Sequence, residues 1–391
     1  MSVQRLSRFG QRALWCLGWL VFCCLLPGCA FFNRLEVESV ATGQAPPSQV
    51  AAYFTVDQGG EAVQGLSEKN FRVFEDDEDV TSSSSLSLID RSKVAYHHTV
   101  VLVDVGSSAE NVQMSGPLSE LVSRLRQTRD VSLFGFDGGE DLIPLGQFRT
   151  ASTSEVKLDK MDRLETRDPS RNLNGALVKG LEQLESKLMQ VQRPVRRGSL
   201  LVITRGPDLA RRVTEDRLAE TLDGSQHDTF AVVLGKQENL RADDLGRTDA
   251  VETETTSELP TALSRVARLM ESRVQAEYVV SYCSPARAGK RFVRIETTTL
   301  KDETEFKGSV EFEIDATGFA AGCDSKRTPS FLSVTATTST TPAPSEPAAP
   351  EDDKEPANTP PPQELPPKEP PAGSGEPDGI VPPPDSPTYE K

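Results

Sequence analysis

The chain has 391 residues, with 59 acidic against 43 basic side chains and a formal charge of −16 at neutral pH. That balance disfavours nucleic acid and anionic lipid as partners for the bulk of the surface. The length allows about two folded domains.

Arg5, Arg8 and Arg12 form a basic leader, followed by an apolar run from Ala13 to Leu26 that is too short to cross a bilayer comfortably. It ends in Leu26-Pro27-Gly28-Cys29, which looks like a lipobox: small residues before a cysteine whose thiol takes a diacylglyceryl group. Residues 1–28 therefore read as a bacterial lipoprotein signal peptide and Cys29 as the lipidation site, with acyl chains such as palmitate giving stable anchoring. An uncleaved anchor helix is the alternative, but Ala30 to Glu36 turn polar too soon to extend the apolar run. Loss of three arginines and no acid would move the mature chain from −16 to −19. Cys16, Cys23 and Cys24 leave with the leader and Cys29 is consumed, so Cys283 and Cys323 remain. Two thiols in an exported chain suggest one disulfide. Metal binding by that pair is disfavoured, because a structural zinc wants about four ligands and only His97, His98 and His227 could complete the set.

Residues 29–93 read as a linker and a small β-domain, with strand-like stretches at Leu35 to Val40, Val50 to Asp57 and Phe71 to Glu75. The acidic run Glu75 to Asp79 lacks the alternating ligands and turn glycine of a calcium loop and is expected to be a solvated hairpin turn. From Thr99 strands and helices alternate, and the strands are continuous apolar runs, as in a parallel sheet covered on both faces. Strands are expected at Thr99 to Val105, Val131 to Phe136, Ser199 to Thr204 and Asp228 to Leu234. Helices are expected at Pro117 to Gln127, Thr153 to Leu164, Leu173 to Gln192, Asp208 to Leu222 and Leu259 to Gln275. Strands resume at Glu277 to Tyr282, Arg291 to Thr298 and Ser309 to Asp315. The domain plan is an α/β domain over 94–283, a β segment over 284–326 and a tail over 327–391. Eighteen of the 28 prolines lie from Pro329 onward, so the tail is expected to be disordered.

At the end of the first α/β strand stands Val101-Leu102-Val103-Asp104-Val105-Gly106-Ser107-Ser108. This stretch resembles the opening of a von Willebrand factor type A domain, whose Asp-x-Ser-x-Ser signature begins a metal-ion-dependent adhesion site. Asn172-Leu173-Asn174-Gly175-Ala176-Leu177 is similar to the family's second loop, and Leu201-Val202-Ile203-Thr204-Arg205-Gly206 to its fourth-strand turn. The resemblance covers about Val94 to Tyr282 and implies a Rossmann-like, doubly wound α/β fold. The flanking β segments, Leu35 to Ile89 and Arg291 to Asp315, have too few strands to be comfortable alone and could share one sandwich.

The family's site holds magnesium through oxygen ligands on three loops. Here Asp104 and Ser108 match the first and last signature positions, but Gly106 supplies no side-chain oxygen. Arg171 aligns with the second-loop threonine, with Ser170 beside it, and Arg205 with the third-loop aspartate. Two cations where ligands should be argue against a bound metal, so no cofactor is expected. Arg205, with Arg171 as second candidate, could replace magnesium by donating to Asp104. The resemblance implies binding rather than catalysis; with the altered site and the lipobox, the expectation is a metal-independent, lipid-anchored interaction or adhesion module of the cell membrane or outer membrane. Its partner would be an envelope or extracellular protein, not nucleic acid. A purely structural scaffold is the alternative. No serine or cysteine stands in a nucleophile context with a histidine, so an enzyme is not expected.

Overall fold

The computed structural model describes residues 34–237 and 240–331. The leader, Cys29 and the tail from residue 332 lie outside them.

The chain enters through β1 (Glu36–Ala45), β2 (Gln49–Gln58), the short β3 (Glu61–Ala62), β4 (Phe71–Glu75), β5 (Glu78–Asp79) and β6 (Ser87–Leu88). The acidic run is the β4–β5 turn, where Asp76 and Asp77 take the positive φ values of a tight hairpin. The chain then builds the α/β layer: β7 (Ala95–Asp104), α1 (Ser108–Leu125), β8 (Asp130–Phe136), β9 (Ile143–Phe148), α2 (Asp159–Asp162), α3 (Leu173–Met189), β10 (Val195–Thr204), α4 (Glu215–Gly224), β11 (Asp228–Leu234), α5 (Ala242–Leu245), β12 (Asp249–Thr253) and α6 (Leu259–Gln275). It returns through β13 (Glu277–Cys283), β14 (Lys290–Lys301) and β15 (Thr304–Asp315).

In the central sheet the order is β12-β11-β10-β7-β8-β9, parallel except for the antiparallel edge strand β9. Numbered within the layer, that is the 3-2-1-4-5-6 order of a doubly wound sheet. Val101, Val103, Leu201 and Ile203 pack on α1 and α6, while Val100, Leu102, Leu200 and Val202 pack on α3 and α4. The uninterrupted apolar strands follow from this burial on both faces.

Several expected boundaries move. Helix α1 begins at Ser108 rather than Pro117, because Ser107 and Glu110 form a capping box; Pro117 sits inside a helix whose Met114, Leu118, Leu121 and Leu125 are buried. Only Asp159–Asp162 is helical in the expected stretch from Thr153 to Leu164. Helix α4 starts at Glu215, capped by Thr214, while Asp208 turns its carboxylate to the main-chain N–H groups of Asn174 and Arg211.

The boundary at 283 also moves. Strand β13 pairs with β2 and β6, so it belongs to the sheet β1-β2-β13-β6 rather than to the central sheet. A second sheet, β15-β14-β4-β5, packs against it around Phe54, Phe71, Tyr278, Val280, Ile295 and Val310. The two flanking segments thus form one sandwich, with the α/β layer inserted between β6 and β13. Cys283 and Cys323 form a disulfide that ties the end of β13 to the C-terminal segment. The beginning of the expected tail is packed: Phe331 is 9% exposed and lies edge-on to Tyr53.

The α/β layer stands on the outer face of β2 and β13. Ala51, Tyr53 and Val279 meet Val94, Ala95 and Val195 there. Glu277, 5% exposed, accepts from the Tyr53 hydroxyl, pairs with His97 Nε2 at 2.7 Å and lies 3.5 Å from Arg197 Nε. Burial alone would raise its pKa, but His97, Arg197 and the Tyr53 hydrogen bond outweigh it and hold the carboxyl below its ordinary value.

Candidate functional site

At the opposite end of the layer, strands β7 and β10 deliver Asp104 and Arg205 to the carboxyl edge of the sheet, where doubly wound folds place their ligands. Asp104 is 2% exposed. Such a carboxylate needs compensating donors. Arg171 Nε donates to Asp104 Oδ2 at 2.5 Å, and the Arg205 main-chain N–H donates to the same oxygen at 3.0 Å. Arg205 Nη2 reaches Oδ1 at 3.3 Å and the Asp104 carbonyl at 3.0 Å. The structure therefore brings both arginines onto Asp104.

A fourth charge completes the group. Arg205 Nη1 lies 3.0 Å from Glu110 Oε1, and Glu110 is fixed by the hydroxyl and main-chain N–H of Ser107. Those hydrogen bonds from Ser107, helped by Arg205, hold the Glu110 carboxyl below its ordinary pKa despite some desolvation. Two carboxylates thus balance two guanidinium groups.

Gly106 has a steric reason to be glycine. A Cβ there would lie 1.9 Å from Arg205 Nη1 and 2.5 Å from Glu110 Oε2. The guanidinium occupies the volume that a side chain at 106 would need. On the far side, Arg171 Nη1 donates to the Pro207 carbonyl at 3.3 Å.

The surrounding loops are cross-tied. Asn111, fully buried, accepts from Gly106 N–H and donates to the Gly106 and Leu164 carbonyls. Asp137 accepts from the N–H groups of Gly139 and Arg167. Asn172 caps α3 by accepting from Gly175 N–H, and its amide donates to the Gly139 carbonyl. The N–H groups of Leu209 and Ala210 both donate to the Arg171 carbonyl. These bonds fix the arginines from behind.

The donor set does not fit a divalent cation. Both oxygens of Asp104 already accept N–H groups, Gly106 offers none, and Arg171 and Arg205 put positive charge where ligands would stand. Ser108 is half-buried on the first turn of α1. The Ser170 hydroxyl, a candidate substitute, donates to Asp168 at 2.6 Å instead. No cluster of three or more His, Cys, Asp or Glu side chains able to hold a metal occurs among the described residues. Glu110, Asp137 and Asn111 were not anticipated as members of this face. Only Glu110 had a visible signal, the Ser-x-x-Glu spacing from Ser107.

No family model matches the chain, and no curated protein matches it. Solved structures do. A von Willebrand factor type A protein from Sulfolobus acidocaldarius, the ArnB paralog VWA2, is 14% identical over 72% of this chain and 74% of its own, with a TM-score of 0.34. A von Willebrand factor type A protein from Catenulispora acidiphila is 11% identical over 73% of each chain, with a TM-score of 0.37. The PilB minor pilin of Streptococcus sanguinis is 10% identical over 61% of this chain and 78% of its own, also at 0.37. Likeness this remote assigns no role to any residue here.

Proposed function

We propose that this chain is a lipid-anchored envelope protein whose α/β layer is a protein-interaction module that needs no metal ion. The observation that carries this reading is the closed cluster of Asp104, Arg171, Arg205 and Glu110 at the ligand-binding edge of the sheet. A fixed guanidinium pair supplies the positive charge that a buried carboxylate requires. That edge is also the end left open, because the base of the layer is committed to the sandwich.

A non-enzymatic role is supported by the histidines. His97 engages Glu277, His98 sits between Tyr96 and Ser132, and His227 pairs with Glu185, all away from the Asp104 loops. Anchoring is proposed from Cys29, and no helix among the described residues is long and apolar enough to cross a membrane. A scaffold role is the second reading. It is favoured by the sparse apolar surface of the loop face, where Leu209 and Val112 are the large apolar side chains more than half exposed among the described residues.

The test is a photo-crosslinking side chain at Leu209 or, separately, at Val112 in living cells, with and without a divalent-metal chelator. The expected result is a discrete crosslinked envelope protein whose yield is unchanged by chelation. Loss of the crosslink on chelation, restored by magnesium, would refute metal independence. No crosslink at Leu209 or Val112 would favour the scaffold.

A further inference from the structure

We propose that the sandwich end around Arg34 rests against a lipid bilayer, with Leu300 and Lys301, the last residues of β14 before the Asp302-Glu303 turn, at the headgroups and the Asp104 face held away. The inference rests on the reading of Cys29 as lipidated. Only Ala30 to Asn33 separate that cysteine from Arg34, and five peptide steps reach at most about 18 Å. Beyond Arg34 the chain cannot lengthen without breaking structure. Arg34 bridges to Lys307, the Leu35 N–H donates to the Lys307 carbonyl at 2.8 Å, and the Leu35 side chain is 1% exposed in the sandwich core. The bilayer surface must therefore come within about 18 Å of Arg34.

The hairpin tip lies inside that radius. Lys307 is paired with Thr298 and Glu305 with Leu300, so the tip begins two residues along the strand, about 7 Å away. Leu300 is 72% exposed, among the most exposed large apolar side chains of the described residues, and Lys301 follows it. An apolar side chain beside a flexible ammonium suits the headgroup region, where the first meets the acyl boundary and the second reaches phosphate. Charge does not set this orientation. The turn itself is the exposed acidic pair Asp302-Glu303, Lys307 meets Glu305 at 3.0 Å and Lys301 meets Glu61 at 3.7 Å, so the contact suits zwitterionic rather than anionic lipid.

The Asp104 face lies at the end of the α/β layer far from the sandwich. His97 touches Glu277 of the sandwich, and the seven residues from it to Asp104 rise about 23 Å along β7. Leu209, 57% exposed, stands at that raised end.

The test uses the full-length lipidated protein in phosphatidylcholine vesicles containing a nitroxide-headgroup lipid. A fluorophore is attached through Leu300→Cys or Leu209→Cys, with Cys283 and Cys323 left in their disulfide. Intact mass of each preparation reports the lipid on Cys29. Quenching is expected to be several-fold stronger at position 300 than at 209. It should fall to the level at 209 when a flexible spacer of about twenty residues is inserted between Asn33 and Arg34. Equal quenching at both positions, or stronger quenching at 209, with lipid present on Cys29, would overturn the orientation alone. A mass without lipid would overturn the orientation and the anchoring beneath it.

Discussion

The two ends of the α/β layer solve the same problem with different consequences. At the base, Glu277 of the sandwich is held by His97 and Arg197 of the α/β layer. At the top, Asp104 is held by Arg171 and Arg205, all from the layer itself. The base therefore welds two bodies of the chain, while the top closes one face of a single body. Buried carboxylates of equal chemistry can thus join two bodies in one place and close a single face in another, depending on which elements supply the cations.

The largest expected effect is at the base. Glu277→Ala leaves His97, Arg197 and the Tyr53 hydroxyl without their shared acceptor and should cost about 3–5 kcal/mol in urea denaturation. Asp104→Ala should cost less, about 2–3 kcal/mol, because Arg205 keeps Glu110 and Arg171 keeps the Pro207 carbonyl. Equal losses would erase the distinction between weld and closure.

Acid offers a second probe of the base. Burial pushes His98 down to about 4 from its ordinary 6.5, where it lies between Tyr96 and Ser132. The folded state keeps it neutral while the unfolded chain takes up a proton, so its contribution is complete above the unfolded value. It is lost as pH falls from about 6.5 toward about 4, by on the order of 3 kcal/mol in total. A His98→Gln variant should show a flatter stability profile across that window. Parallel profiles would remove His98 as the cause.

How much of this was readable in the chain divides along the same line. The apolar runs of β7, β8, β10 and β11 announced a sheet buried on both faces, and Asp104, Gly106, Arg171 and Arg205 stood at recognisable loop positions. Strands β9 and β12 were not visible: β9 carries Pro144 and Gly146, and β12 is a short edge strand of mixed character, so neither shows an apolar run. Glu277 and Tyr53 gave no local signal, since their roles depend on strands far apart in sequence meeting at the junction. The domain boundary at 283 falls on the wrong side of β13 for the same reason, its pairing with β2 being a matter of long-range register.

The smallest effect separates sterics from charge at the top. Gly106→Ser should destabilise by about 1–3 kcal/mol, because its Cβ would displace the Arg205 guanidinium. In an Arg205→Ala background the same substitution should cost much less. Additive costs in a double-mutant cycle would show that the glycine is not there to admit the arginine.

The central claim is that a guanidinium pair stands where a metal would, and calorimetric titration of the mature protein with magnesium and manganese tests it most directly. The account predicts no saturable heat from the unmodified protein with either ion. Stoichiometric binding that disappears in Asp104→Ala would contradict it and make this face a working metal site.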